Sequence, residues 1–166
     1  RQLVRVGADV NLPDHEGRPP LLFAAMHGQA QCGEALLQLG ADMNGRDRLG
    51  NTALHVAARA AHAEIATLVL ARSAGSAKGA GAEVDVQSYA GRTPLHLAAA
   101  AGSVEVVELL CEAGCTLDSE VVAPHTPDDG RTAEQLAEGQ SKRVGDKFDD
   151  CVDEIARVRR ERGVVE

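Results

Sequence analysis

The chain has 166 residues and a formal net charge of −8, with 44% hydrophobic and only 2% aromatic residues. So acidic a balance argues against a general nucleic-acid binder, which would carry a basic surface. With no Trp, one Tyr and two Phe, the core must be built from Ala, Leu, Val and Ile, which suits closely packed helices, and Ala itself favours helix.

In chain order, "VRVGADVN" near the start reads as the tail of a unit, within residues 1–13. Residues 14–46 form the first complete unit, with "RPPLLFAAMHGQ" after Gly17 and then the amphipathic run "CGEALLQLGADMN". Residues 47–87 repeat it, with "NTALHVAARAAH" after Gly50, then "IATLVLARS" and eight extra residues, "SAGSAKGA", at 73–80. Residues 88–120 give "GRTPLHLAAAAG" from Gly91 and then "VEVVELLCEAGCTLD". Residues 121–166 hold a proline-broken linker, a degenerate copy "DGRTAEQLAE", and a helical run "DKFDDCVDEIARVRRER". Self-similarity at a fixed period marks a stacked architecture.

Each unit predicts two helices. The Thr-Pro step starts the first, because a proline N–H has no helical partner in the first turn, and Thr93 can cap it. Leu95, Ala98 and Ala99 share one buried face. Gly102 ends this helix in a left-handed conformation. Val106, Val107, Leu110 and Cys111 mark the stripe of the second helix, and Gly114 ends that one. One unit cannot bury its own apolar faces, so neighbours must stack.

A 33-residue unit carrying Gly-x-Thr-Pro-Leu-His-x-Ala-Ala and ending in Gly-Ala-Asp-Val-Asn resembles an ankyrin repeat. The resemblance covers nearly the whole chain. It implies an all-α ankyrin-repeat solenoid of stacked helix-turn-helix units with β-hairpin-like finger loops, acting as a protein-interaction module and scaffold. It also implies that His55 and His96 bond the motif threonines, Thr52 and Thr93, and the next loop's backbone. Thr52, His55, Thr93, Pro94 and His96 are thus read as structural.

Several positions depart from the pattern. Ala61 stands where glycine should end a helix, Gly33 replaces an aliphatic inside a second helix, and Leu22 replaces the motif histidine. Glu134 and Gln135 stand for Leu and His in the last copy. The insert 73–80 predicts a short helical extension and then a mobile loop, read as a tolerated surface insertion or as a partner contact. In the final run Phe148, Cys151, Val152, Ile155 and Val158 share a face. Its acids, Asp146, Asp149 and Asp150, precede its arginines, as the helix dipole prefers. That polar, altered segment reads as a capping repeat, and its arginines as a solvated end or a docking site.

No catalytic constellation can be identified, and the chain is read as a non-enzyme with no cofactor and no metal. His15, His27, His62 and His125 form no metal spacing. "GSAKGAG" lacks the Gly-Lys-Ser/Thr ending of a phosphate loop and follows a helix. The four cysteines form no Cys-x-x-Cys pair and read as reduced thiols in a cytoplasmic or nuclear protein, with Cys32 and Cys111 at buried positions. No apolar run approaches a membrane span and no signal peptide is visible.

In ankyrin-like solenoids the concave face of finger tips and first helices binds partners. Transferred by position, the resemblance names Arg18, Met26 and His27, then Arg46, Arg48, Leu49 and Arg59, then Tyr89 and Arg92. The acidic side chains Glu34, Glu64, Glu105, Glu108 and Glu112 fall on or near the second helices. Two readings stand. The arginines line a groove for an acidic or phosphorylated segment, whose oxyanions suit the planar guanidinium, or they pair with hairpin acids such as Asp14 and Asp47. The expected partner is another protein or peptide, with no nucleic acid and no membrane insertion, the fragment itself being a monomer. The alternative is a regulatory or substrate-docking region of a larger enzyme, channel or scaffold, which the mid-repeat start at Arg1 suggests.

Overall fold

The computed structural model describes residues 8–74, 83–117, 131–133, 135–138 and 147–163. The expectations for residues 1–7, most of the insert, the 121–130 linker, His125, Glu134 and Asp146 fall outside them, as do the side chains of Ser73, Ala74 and Phe148. Seven helices are described: α1 Pro20–Met26, α2 Ala30–Gln38, α3 Ala53–Arg59, α4 Ala63–Ala74, α5 Pro94–Ala101, α6 Val104–Glu112 and α7 Lys147–Glu161. Residues 135–138 add a short helical stretch, and no strand occurs among the described residues. The fingers are therefore tight turns.

The helices form two rows. The first helices α1, α3 and α5 pack in sequence, and so do the second helices α2, α4 and α6. Within each unit the two helices also pack together, and α7 lies on α6 and α5. The apolar periodicity explains the rows. Leu54, Val56, Ala57 and Ala58 are buried on α3, while Ile65, Ala66 and Val69 are buried on α4. Alanines at the contacts let the helices approach closely, as an aromatic-poor core requires. Cys151, Ile155 and Val158 bury the inner face of α7 against the stack.

The left-handed joints fall where expected. Gly102 takes φ 69° after α5, and Gly114 takes φ 89° after α6. Ala61 adopts φ 57°, alone among the described non-glycine residues in having positive φ. A Cβ in that region costs about 1 kcal/mol. α4 runs three residues longer than α2 or α6, to Ala74, so the helical part of the expected extension is present.

One sequence expectation is corrected. Cys32 is exposed, because α2 turns Gly33 inward instead. Gly33 is a site of close approach: a Cβ there would stand 3.1 Å from Ile65 Cδ1 and 3.4 Å from Leu68 Cδ2. Its missing side chain lets α2 and α4 approach.

Candidate finger-tip groove

Each finger is a five-residue turn closed by its own backbone. Asp14 N–H donates to the Arg18 carbonyl at 3.0 Å, Asp47 N–H to Asn51 at 3.0 Å, and Ser88 N–H to Arg92 at 2.9 Å. The leading side chain fills the turn. Asp14 Oδ1 accepts the N–H groups of Glu16 and Arg18, and Asp47 Oδ1 accepts those of Leu49 and Asn51. The turns then stack. Arg48 lies over Gly17 and Tyr89 over Gly50, where a Cβ would meet Arg48 Cγ at 3.0 Å and the Tyr89 backbone nitrogen at 2.9 Å. Tyr89 N–H also donates to the Leu49 carbonyl at 2.9 Å. Glycine is required at both places by φ 76° and by this approach.

The motif histidines join one unit to the next. His55 Nδ1 accepts from Thr52 N–H at 3.2 Å and stands 2.9 Å from its hydroxyl, so the proton resides on Nε2, which donates to the Arg92 carbonyl at 2.9 Å. His96 repeats this with Thr93 and the Arg131 carbonyl, at 3.2 Å. Burial first of all pushes the His55 pKa down to about 4, against the Arg92 carbonyl, which favours the charged ring. A buried neutral ring with both nitrogens engaged is a strut. Pro94 occupies the first turn of α5 as expected, and is buried there.

The structure gathers Arg18, Met26, Arg48, Leu49 and Arg59 around one cavity of about 270 Å³, completed by Glu16 and Asp47. Arg46, His27, Tyr89 and Arg92 do not line it. Arg46 Nη1 donates to the Gln87 carbonyl at 3.2 Å. His27 packs against Phe23 with the rings tilted by 51° and their centroids 4.5 Å apart. Tyr89 is exposed at its finger tip, and Arg92 is half-buried one unit further along.

The cavity's arginines are not equivalent. Arg18 is neutralised: it pairs with Asp14 at 2.8 Å and with Glu16 at 2.6 Å, and lies over the Phe23 ring at 5.6 Å. The Arg18 backbone N–H and guanidinium hold the Asp14 carboxyl down to about 2. Asp47, by contrast, spends its carboxylate on Leu49 and Asn51 N–H and on the Asn51 side chain. Pairing with hairpin acids thus holds for Arg18, while Arg48 and Arg59 are exposed and form no ion pair among the described residues. Glu34, Glu64, Glu105, Glu108 and Glu112 are exposed on the second-helix row.

Phe23 escaped the sequence reading. It occupies the position of Val56 and Leu97, which are buried, yet it is half-exposed beside Arg18. Its place in the first complete unit was the available signal.

No helix among the described residues is long and apolar enough to cross a membrane. They also hold no cluster of three or more His, Cys, Asp or Glu side chains able to bind a metal ion.

Comparison with known proteins agrees with this architecture. Residues 1–80 match the family model "Ankyrin repeats (3 copies)", and residues 90–120 match "Ankyrin repeat". Among curated relatives, chicken (Gallus gallus) inversin is 44% identical over 59 residues, which are 36% of this chain and 5% of inversin. An ankyrin repeat and LEM domain-containing protein 1 homolog from Caenorhabditis elegans is 40% identical over 57 residues, 34% of this chain and 8% of the relative. Mouse (Mus musculus) NF-kappa-B inhibitor delta is 39% identical over 57 residues, 34% of this chain and 17% of the relative. The matches thus span a small fraction of these longer proteins. From the stacked finger turns, the paired helix rows, the histidine struts and the family matches together, the chain belongs to the ankyrin-repeat family, whose repeats are protein-interaction modules.

Proposed function

We propose that this protein is a non-enzymatic binding module that receives an acidic or phosphorylated segment of a partner protein on its finger-tip and first-helix face. The observation that carries this reading is the cavity where Arg48 and Arg59 stand beside the apolar side chains Met26 and Leu49. Glu16 and Asp47 share the cavity but are engaged elsewhere, so Arg48 and Arg59 offer planar donor forks to carboxylate or phosphate. The apolar neighbours exclude water and strengthen that bond. Arg18, saturated by Asp14 and Glu16, holds the wall of the cavity. Tyr89 and Arg92 extend the same face along the stack and give a longer segment further contacts. The name of the mouse relative, an inhibitor of NF-kappa-B, supports action through another protein. On this reading the module works as a monomer in the cytoplasm or nucleus.

A second reading is favoured by the lengths. The matched stretches make up 5–17% of the relatives, so the same face would serve as a docking or regulatory region within a larger enzyme, channel or scaffold.

The test is selection from a random peptide library against the protein and against its Arg48→Glu/Arg59→Glu variant. Both positions are exposed, so the fold should survive, which circular dichroism checks. Acidic residues next to an apolar one should be enriched on the parent and lost on the variant. Enrichment without acidic bias, or equal selection by both proteins, would sink the proposal.

A further inference from the structure

A second cavity, of about 370 Å³, lies between α6 and α7. Glu108, Cys111 and Glu112 line it from α6; Glu154, Arg157, Val158, Glu161 and Arg162 line it from α7 and the residue after it. Cys111 and Cys115 flank the turn that ends α6. That turn is folded back tightly: Gly114 N–H donates to the Cys111 carbonyl at 3.0 Å, and Cys115 N–H to the Leu110 carbonyl at 3.1 Å. Both thiols are withdrawn from bulk solvent, yet Cys111 borders the cavity and so has a path for a small reagent. Arg162 clamps the turn, with Nη1 donating to the Cys115 carbonyl at 2.6 Å and Nη2 to the Cys111 carbonyl.

We infer that Cys111 and Cys115 form a peroxide-oxidisable dithiol, with Cys111 as the attacking sulfur and Cys115 as the resolving one. Cys115 donates a hydrogen bond that stabilises the Cys111 thiolate, and the positive charges of Arg162 and Arg157 act in the same sense. Burial and Glu154 oppose them, and the net push on Cys111 is downward. Cys115 is pushed up, first by its bond to Cys111 and then by burial. Access assigns the roles: Cys111 lines the cavity and Cys115 does not, and the downward push on Cys111 acts in the same sense, since the thiolate is the nucleophile.

The chemistry closes with hydrogen peroxide as the oxidant. The Cys111 thiolate attacks one peroxide oxygen; the O–O bond breaks, and hydroxide leaves and is protonated to water. Cys111 is then a sulfenic acid. The Cys115 sulfur attacks the sulfenyl sulfur, the S–O bond breaks, a second water leaves, and a disulfide forms. The dithiol has lost two electrons and two protons. Once Cys111 carries oxygen the thiolate that held the Cys115 proton is gone, which lets Cys115 react.

The experiment is a peroxide time course on the whole 166-residue protein, with alkylation and peptide mass mapping. Cys32, exposed, and Cys151, buried and pushed up to about 11 by desolvation, are internal references. A Cys111–Cys115 disulfide should form while Cys32 and Cys151 remain alkylatable. Arg162→Gln should slow it, by about threefold for each tenfold loss of Cys111 acidity. Cys115→Ser should halt at a sulfenic acid that dimedone captures at Cys111. Oxidation of Cys32 ahead of the pair, or a pair that reacts only once the protein is unfolded, would overturn the inference. Because Arg162 is exposed, its variant tests the assignment even if the buried Cys115→Ser variant does not fold.

Discussion

Burial takes the His55 ring out of water, where the Thr52 N–H and the Arg92 carbonyl engage its two nitrogens, and its pKa falls from 6.5 to about 4. In the unfolded chain the ring gains a proton near pH 6.5; in the folded one it resists until about 4. Between those values the unfolded state binds more protons, so stability is full above about pH 6.5 and declines as pH falls, by about 3 kcal/mol at pH 4. Urea unfolding midpoints measured across that range should show the decline, and a His55→Gln variant should show a shallower one. An unchanged slope in the variant would mean that other groups carry the effect. The structural role of this ring was legible because the same residue recurs in the same frame at His96. The departure at Leu22 has a physical reason too. The cap before α1 is Pro19, not Thr, and it has no N–H for a histidine Nδ1 to accept. Removing the donor removes the reason for the histidine.

At the scale of elements, the finger turns set the spacing of the first-helix row. Tyr89 approaches Gly50 so closely that any Cβ there collides with its backbone nitrogen, and φ 76° already disfavours a side chain. Gly50→Ala should therefore cost at least about 2 kcal/mol, read as a shift of the thermal midpoint. Gly40→Ala, where φ is 90° but a Cβ meets nothing within 4 Å, should cost only the conformational part, about 1 kcal/mol. Comparable losses at both glycines would show that the contact is unimportant. Which residues are glycine was plain in the sequence, as part of a repeated motif. Which finger presses on which glycine was not, because that contact crosses from one unit to the next and no periodicity within a unit records it. The last copy teaches a related lesson. Gln135 looked like a lost histidine, yet Gln135 Oε1 accepts from Thr132 N–H at 3.2 Å while Gln135 N–H donates to Thr132 Oγ1 at 3.4 Å. That is the reciprocal cap which Thr followed three places on by Gln allows. His96 reaches the same turn through the Arg131 carbonyl.

Across the whole molecule, acids face outward on the second helices while Arg48 and Arg59 face the finger-tip cavity, an asymmetry that was visible once the repeat frame was known. The neutralisation of Arg18 was less visible, since it depends on the fold of a turn that brings Asp14 and Glu16 to one guanidinium. A second line of bonds joins the units at the loops that follow the second helices and lead into the finger turns. Asn11 Oδ1 accepts from Asp42 N–H at 2.8 Å, Asn44 Oδ1 from Glu83 N–H at 2.9 Å, and Asp85 Oδ1 from Thr116 N–H at 2.8 Å. The sequence separations are 31, 39 and 31 residues. Eight added residues leave the middle bond within 0.1 Å of its neighbours, so distance here is reckoned in layers of the stack and not in residues of chain. The segment 73–80 is consequently a splice port. A small folded protein with adjacent termini, inserted between Ala77 and Lys78, should shift the thermal midpoint of the host by only a few degrees, since loop length enters closure entropy logarithmically. The same insertion within the Asp47–Asn51 turn should abolish cooperative unfolding. A molecule assembled in this way can acquire a whole new domain at one address without any of its own layers being told.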